Sequence, residues 1–401
     1  MKIVIVGAGP TGLALACALR MHGVEVAIYE RREGPTDQSR ATLIHASTLE
    51  LLSRIGVATR ALESGLELSS MHIYDDRQLA FALGFDHLRT PFPKVLMLPQ
   101  SQTESILLER LKELGGQVHH GVSLVAVQQD SDGLDLRFQS TDGRVQQVCD
   151  ADVLVGCDGT RSLVREAAGI DYVGSAHSAR FILADVCTAK PLAPTLSFCT
   201  GRAGYLGFGP IAPGVARMVA SDARPENALE NAAALEIPIT DLQSILDTRL
   251  PSALVNSITQ VRWASSFRVQ HKLATRYWAN RVVLAGDAAH AHSPVGGQGL
   301  NTGVADAFAL AQALLGIKSK DDMEPAFQKY EAQRRDAAQR VLELTHRFTR
   351  FALVQTAKDR LLRRIALGGM RLSKLHRERL VHEMSGLGRM PSALPRRHHS
   401  G

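Results

Sequence analysis

The chain opens MKIVIVGAGPTGLALACALRMHGVEVAIYERRE, and few folds accommodate that beginning. Lys2 to Val6 form a short apolar run, and Gly7, Gly9 and Gly12 make a GxGxxG turn. Helical apolar spacing then continues to a stop at Gly23, and Val24 to Glu30 read as a second strand. That order predicts a βαβ unit opening a Rossmann-like domain. The glycines let the backbone turn tightly and approach a pyrophosphate. The helix starting at Pro10, Thr11 and Gly12 offers it free N–H groups and a positive dipole end. Glu30, close to the roughly twenty-residue offset expected for ribose recognition, can accept hydrogen bonds from two hydroxyls. The motif alone does not separate NAD from FAD, and a chance glycine turn is its bland alternative.

A second glycine-rich stretch, VVLAGDAAHAHSPVGGQGLNTG, spans 282 to 303. An apolar strand ending at Gly286 and Asp287 places a carboxylate on the ligand edge of an open α/β sheet. The backbone from Pro294 to Gly299 then approaches something flat, and a helix beginning near Leu300 aims its N–H groups at it. Leu300, Val304, Phe308, Ala311 and Leu315 give that helix a buried stripe. One long cofactor accounts for both glycine loops. FAD has that shape: its ADP half lies on the first loop, Asp287 accepts from the polyol, and the ring lies against the second. A helix N-terminus beside the ring stabilises the reduced anion by roughly 0.3 to 2 kcal/mol. The alternative is a glycine-rich loop serving only core packing.

The remaining chain reads as α/β. Hairpin-like strands are expected at 122 to 128, 134 to 139 and 145 to 148, and strand, turn and helix again at 150 to 169. A helix follows 98 with Thr103 as its cap, and 177 to 265 reads as a mostly antiparallel inserted sheet with one helix near 240 to 248. Long helices broken at LGGM fill 324 to 384. The expected domains are an FAD-binding domain (1–70, 98–176 and 266–323), a substrate domain (71–97 and 177–265) and a C-terminal helical region (324–401). With 401 residues and 45% hydrophobic content, a large core is available. No h-region leads the chain and no run of about eighteen apolar residues appears, so a soluble cytoplasmic protein without a transmembrane segment is expected. Cys17, Cys149, Cys157, Cys187 and Cys199 lack metal spacing and read as reduced thiols. The formal charge of +6 concentrates after Arg334, which suggests amphipathic helices with a solvated basic face instead of a nucleic-acid site.

At this point the chain resembles the flavin-dependent aromatic hydroxylases, single-component FAD monooxygenases with the p-hydroxybenzoate hydroxylase fold. The resemblance rests on GAGPTG with Glu30, RATLIHASTLELLSRIGV, LPQSQTESIL, GCDGTRSLVR and LAGDAAHAHSPVGGQGLNTGVADA, and it runs through nearly the whole chain. It implies that Gly7, Gly9, Pro10, Thr11, Gly12, Glu30 and Arg31 hold the ADP end and that Arg40 and Gln100 contact the ribose-phosphate region. Leu124 would lie by the adenine. Asp158 would serve FAD and NAD(P)H together, with Arg161 shaping its turn. Asp287 would bind the ribitol, and Pro294, Gly297, Gly299, Leu300 and Asn301 would face the isoalloxazine. Asn280 stands where the family usually has glycine, and Leu300 where methionine is common.

The family chemistry would have NADH or NADPH, a transient co-substrate, reduce FAD. O2 would add as a C4a-hydroperoxide, and one oxygen would pass to an electron-rich ring. A sheet with few charges suggests a lipophilic phenolic or polycyclic aromatic substrate. No catalytic side chain is assigned and no metal is expected. His290 and His292 are read as satisfied by local hydrogen bonds, while His45, Arg180, Tyr205 and Phe208 are pocket candidates that are equally open to structural roles. A monomer or homodimer is expected. The alternatives are an FAD-dependent reductase or dehydrogenase without oxygen transfer, or a flavin-binding sensor using the basic C-terminal helices on a membrane or nucleic acid.

Overall fold

A computed structural model of the chain describes residues 1–34, 41–129, 133–222, 237–354 and 356–394. Its centre is a six-stranded sheet in the order Trp278–Ala279, Val282–Leu284, Val153–Gly156, Ile3–Val6, Val26–Glu30, Val118–His120. All neighbours are parallel except the first pair, with Ile3 facing Val153 on one side and Val26 on the other. All four residues of Ile3–Val6 are buried, as a strand covered on both faces must be. The helix Pro10–Met21 crosses from the first strand toward the second, and the helix Gly299–Gly316 packs beside it.

Three antiparallel strands, Val122–Gln129, Leu134–Ser140 and Val145–Ala151, form a separate small sheet at the expected hairpins. The eight-stranded sheet is antiparallel apart from one pair, Ser70–Asp75 beside Thr195–Thr200. Two 17-residue strands, Tyr172–Thr188 and Ile258–Ala274, run alongside one another and carry the chain out to it and back. The turn joining Ser70–Asp75 to Gln78–Leu83 is the pair Asp76 and Arg77, at φ 45° and 70°. Left-handed residues at both positions match the right-handed twist of the flanking strands.

Several sequence expectations are corrected. The N-cap position of the helix Gln100–Glu113 is Pro99, with no side-chain cap, and not Thr103, whose hydroxyl donates back to the Pro99 carbonyl (3.4 Å) from inside the first turn. The LGGM segment does not break a helix. Gly368 and Gly369 lie within Ala357–Leu372, and the break falls at Ser373, whose hydroxyl caps Lys374–Ser385 by accepting from the His376 N–H. Packing of Leu367 and Met370 offsets the roughly 1 kcal/mol that each glycine costs a helix.

Nor is the basic C-terminal region simply a solvated face. On the long helix Met323–Ala352, Arg334 is 1% exposed; its Nε donates to Asp306 Oδ1 (2.7 Å) and its Nη1 to the Arg389 carbonyl (2.9 Å). Arg363 is buried as well, with Nη2 2.7 Å from Asp75 Oδ1, although none of its nitrogens has hydrogen-bond geometry among the described residues. Arginine buries where a carboxylate meets it, and both partners lie far away in sequence. Arg334→Met leaves Asp306 short of a cation in a dry site. It should cost about 3 to 5 kcal/mol, read as a lowered urea midpoint with an unchanged slope.

Candidate cofactor and substrate site

At the first loop, packing accounts for two glycines and leaves the third for a ligand. A Cβ at Gly7 would stand 2.3 Å from the Cys157 carbonyl oxygen and one at Gly12 2.0 Å from that of Gly7, whereas one at Gly9 meets nothing within 4 Å. No side chain caps the helix at Gly9, so its first N–H groups face that open space. Glu30 lies buried at the end of its strand, with Oε2 accepting from the Ala8 N–H (2.8 Å) and Oε1 from the Arg32 N–H and Nε (both 3.0 Å). Burial pushes its carboxyl up, but the hydrogen bonds from Arg32 and Ala8 outweigh this and hold it below the usual range. The arginine engaging Glu30 is therefore Arg32; Arg31 is exposed.

Gln100, at the start of its helix, accepts from the Ala41 N–H (3.3 Å) and donates to Glu104 (2.9 Å), while Arg40 lies outside the described residues. Leu124 is buried in the main core. Asp158 Oδ2 accepts from the Val164 N–H (3.2 Å), and its Oδ1 is buried with no partner among the described residues. Burial holds this carboxyl above its ordinary value. Arg161, expected to shape the turn, is exposed. Arg165 does so instead: Nη2 donates to Thr160 O (3.2 Å), Nη1 to Ala288 O (3.0 Å), and the guanidinium stacks over Tyr172 at 4.1 Å. The sequence signal was an arginine one helical turn past Arg161, with no sign of which of the two turns inward.

The second loop touches the first directly. A Cβ at Gly286 would stand 2.7 Å from Thr11 Oγ1 and one at Gly303 2.3 Å from it, so Thr11 is wedged between two glycines nearly three hundred residues away. Asp287 projects its exposed side chain just past the strand Val282–Leu284, and the Tyr172 hydroxyl donates to its carbonyl (3.1 Å). Asn280, in the family's glycine place, has φ 52°, a conformation asparagine tolerates better than most residues.

Pro294, Gly297, Gly299 and Leu300 are half-buried around the start of the helix Gly299–Gly316. The Asn301 side chain is spent on structure: Oδ1 accepts from the His45 N–H (2.8 Å), and Nδ2 donates to Leu43 O (2.9 Å) and Gly297 O (2.7 Å). His45 is structural too, donating through Nε2 to Gly296 O (2.9 Å).

His290 does not find a local partner. Its Nε2 donates to Asp306 Oδ2 (2.6 Å), which also accepts from the Gly286 N–H (3.0 Å). Burial pushes Asp306 up, but His290 and Arg334 prevail and hold it below the usual carboxylate range. His292 stacks parallel on His290, with ring centroids 6.0 Å apart. Its Nδ1 donates to Ser293 O (3.2 Å), and its buried Nε2 has no partner among the described residues.

Beside this loop lies a cavity of about 330 Å³. One wall is Val295 and Gly296, another comes from the strands Ser70–Asp75, Gln78–Leu83 and Thr195–Thr200 with Tyr205, and the rest from the three C-terminal helices. Phe348, Phe351, Leu367, Met370 and Met384, none of them singled out in the sequence, line it. Their spacing of three or four residues along each helix was the available signal.

Tyr205 lines the cavity. Phe208 sits in a different core cluster, and Arg180 and His45 do not reach this space. Thr200 spends its hydroxyl on Tyr74 O (3.1 Å), and Arg347 pairs with Glu343 (3.7 Å). The Tyr205 hydroxyl has no hydrogen-bond partner among the described residues, and burial keeps it protonated.

A family model described as an FAD binding domain matches residues 1–345. The chain belongs to that FAD-binding family. An uncharacterized aromatic compound monooxygenase of Bacillus subtilis is 33% identical over 351 residues, covering 87% of this chain and 68% of the relative. A rifampicin monooxygenase of Streptomyces venezuelae is 33% identical over 86% of this chain and 70% of its own. Among solved structures, an anhydrotetracycline hydroxylase from Streptomyces rimosus superposes with a TM-score of 0.78 at 30% identity, covering 98% of this chain and 77% of that one. A p-nitrophenol 4-monooxygenase from Pseudomonas putida shares the fold at a TM-score of 0.84 and 21% identity, over 96% of this chain and 98% of that one.

This flavoprotein is an FAD-dependent monooxygenase of the same fold as those hydroxylases. Its residues fit the cofactor: an open space over Gly9, an uncapped helix start, an unpartnered Asp158 oxygen and an outward Asp287.

Burial lowers the pKa of both His45 and His292 from 6.5 to about 4. The unfolded chain therefore binds more protons between these values. Stability is complete above about 6.5 and falls as the pH drops toward 4. In thermal melts at saturating FAD, His292→Gln should flatten that fall relative to the parent. An unchanged slope contradicts the neutral, buried state assigned to this ring.

Proposed function

We propose that this flavoprotein hydroxylates a lipophilic phenolic or polycyclic aromatic compound, using NADH or NADPH and O2. The observation that carries the reading is the apolar cavity walled on one side by Val295 and Gly296 of the second glycine loop. The rifampicin and anhydrotetracycline named for its relatives support a large apolar substrate. Four cysteines, Cys17, Cys157, Cys187 and Cys199, are free thiols, which fits a reducing cytoplasm.

FAD, when bound, supplies the redox chemistry: it accepts reducing equivalents from the pyridine nucleotide and activates O2 for transfer of one oxygen atom. The chain binds and positions. The N–H groups at Thr11 and Gly12 take the pyrophosphate and Glu30 the adenosine ribose, with Arg40 and Gln100 near the ribose-phosphate region. Asp158 serves FAD and the transient nucleotide, and Asp287 takes the ribitol. The loop from Pro294 through Asn301 presents backbone and a helix N-terminus to the ring. Phe348, Phe351 and Met370 keep water from the reacting ring, where it would divert the oxygen to peroxide. Tyr205 offers its hydroxyl to a polar substituent of the substrate and so sets which carbon faces the oxygen donor.

The deciding experiment is anaerobic reduction of the yellow holoprotein by NADPH or NADH, with and without phenolic and polycyclic compounds, followed by product mass under labelled O2. Faster bleaching with an aromatic and one labelled oxygen in the product support the proposal. Equal bleaching without label in any product favours a reductase. Tyr205→Phe removes one hydrogen bond, so KM for hydroxylated aromatics should rise about two- to tenfold, with peroxide leakage increased and reduction without substrate unchanged.

A further inference from the structure

The outward face of the helix Ala357–Leu372 carries apolar side chains that no described residue covers. Leu361, Ile365 and Leu372 stand at i, i+4 and i+11 on one stripe and are 61%, 63% and 89% exposed. Leu362 widens the stripe, and Leu375 extends it past the break at Ser373. Buried Arg363 and Leu367 occupy the opposite face.

The helix is fixed in this orientation by the Asp76–Arg77 turn: Arg363 meets Asp75 (2.7 Å), and Arg364 Nη2 donates to Asp76 Oδ2 (2.8 Å). Between residues 357 and 385 stand eight Lys and Arg against three Asp and Glu, most of the chain's formal charge of +6. Lys358, Arg371 and Lys374 are exposed within or beside the stripe, Lys374 sharing its charge with Glu378 at 3.7 Å. No helix among the described residues is long and apolar enough to cross a membrane.

We propose that this face docks the protein on the surface of an anionic lipid bilayer. Leu361, Ile365 and Leu372 enter the headgroup–acyl boundary, while Lys358, Arg371 and Lys374 lie among the lipid phosphates. An exposed apolar stripe with a strongly basic margin is the physical signature of an interfacial helix, and each half of it reinforces the other. A second copy of this chain is the rival occupant. Self-pairing would bring two margins of net positive charge together, which favours the anionic partner. The inward side of the same helix lends Leu367 and Met370 to the cavity, so an apolar compound dissolved in the bilayer would meet the helix that walls its site.

The test is flotation of the FAD-loaded protein with phosphatidylglycerol–phosphatidylcholine vesicles and with pure phosphatidylcholine vesicles. Binding to the first, at least about tenfold weaker to the second and weakened by salt, is expected. Leu361→Ser, Ile365→Ser and Leu372→Ser together should weaken it by about tenfold per side chain, with flavin absorbance and thermal melting retained. No flotation with the anionic vesicles, or flotation indifferent to the triple substitution, overturns the proposal. So does a wild-type dimer in light scattering that the triple substitution dissolves, or salt-resistant binding of duplex DNA by the same face. Flotation requires no turnover, so its failure and failure of the hydroxylation reading are separately visible.

Discussion

Asp306 is fully buried, and a carboxylate so placed must draw its hydrogen-bond donors from the protein itself. It takes the Gly286 N–H from the second glycine loop, Nε2 of His290 from the short strand beyond it, and Nε of Arg334 from the long C-terminal helix. Because the site is dry, losing any one donor leaves charge uncompensated, so these three elements are held in register as a unit. Thr11 joins the first loop to the same unit, pressed between Gly286 and Gly303 on the helix that carries Asp306. The two glycine loops are therefore positioned by contact within one core, although nearly three hundred residues separate them in sequence.

The same carboxylate also reaches the cavity. From Arg334 the long helix runs on to Phe348 and Phe351, and from His290 the loop runs on to Val295 and Gly296; all four residues face the cavity. Thr349 donates to Ser293 (2.8 Å), so the helix and the loop meet again beside it. Gln298 closes the far end by donating to the Met384 carbonyl (3.0 Å). A cavity built this way holds water poorly because apolar side chains make up nearly all of its surface. A hydroxyl such as that of Tyr205 meets little competition from water in such surroundings.

The βαβ opening and the fold around the two glycine loops were legible because their constraints are local. A glycine turn, an uncapped helix start and a carboxylate at a strand end follow one another within about thirty residues, and the backbone can satisfy them only one way. Strand hairpins and the inserted antiparallel sheet were legible for the same reason. The cavity was not, since its walls come from helices whose inward Phe, Leu and Met alternate with arginines, and amphipathic periodicity shows that a face exists without showing what it meets. Arg334 and Arg363 looked like solvated charge because the carboxylates that bury them, Asp306 and Asp75, lie 28 and 288 residues away. Arg161 and Arg165 differ by about one helical turn, and only packing against Tyr172 distinguishes the one that turns inward.

The walls of the cavity are also unequally held. Two are sheet and glycine loop, fixed by ladders and by contacts too close for a Cβ. The helix Ala357–Leu372 buries only Arg363 and Leu367 and is pinned at a surface turn by charge. Local opening is least costly where few apolar side chains are buried and the remaining contacts are ionic and partly wet. The helix that separates the cavity from the outside is thus held by fewer buried apolar side chains than the sheet and loop walls. Its outward leucines would remain a liability in water unless an apolar phase received them. An apolar cavity and an uncovered apolar stripe on the helix enclosing it are two consequences of one segment having apolar side chains on both of its faces.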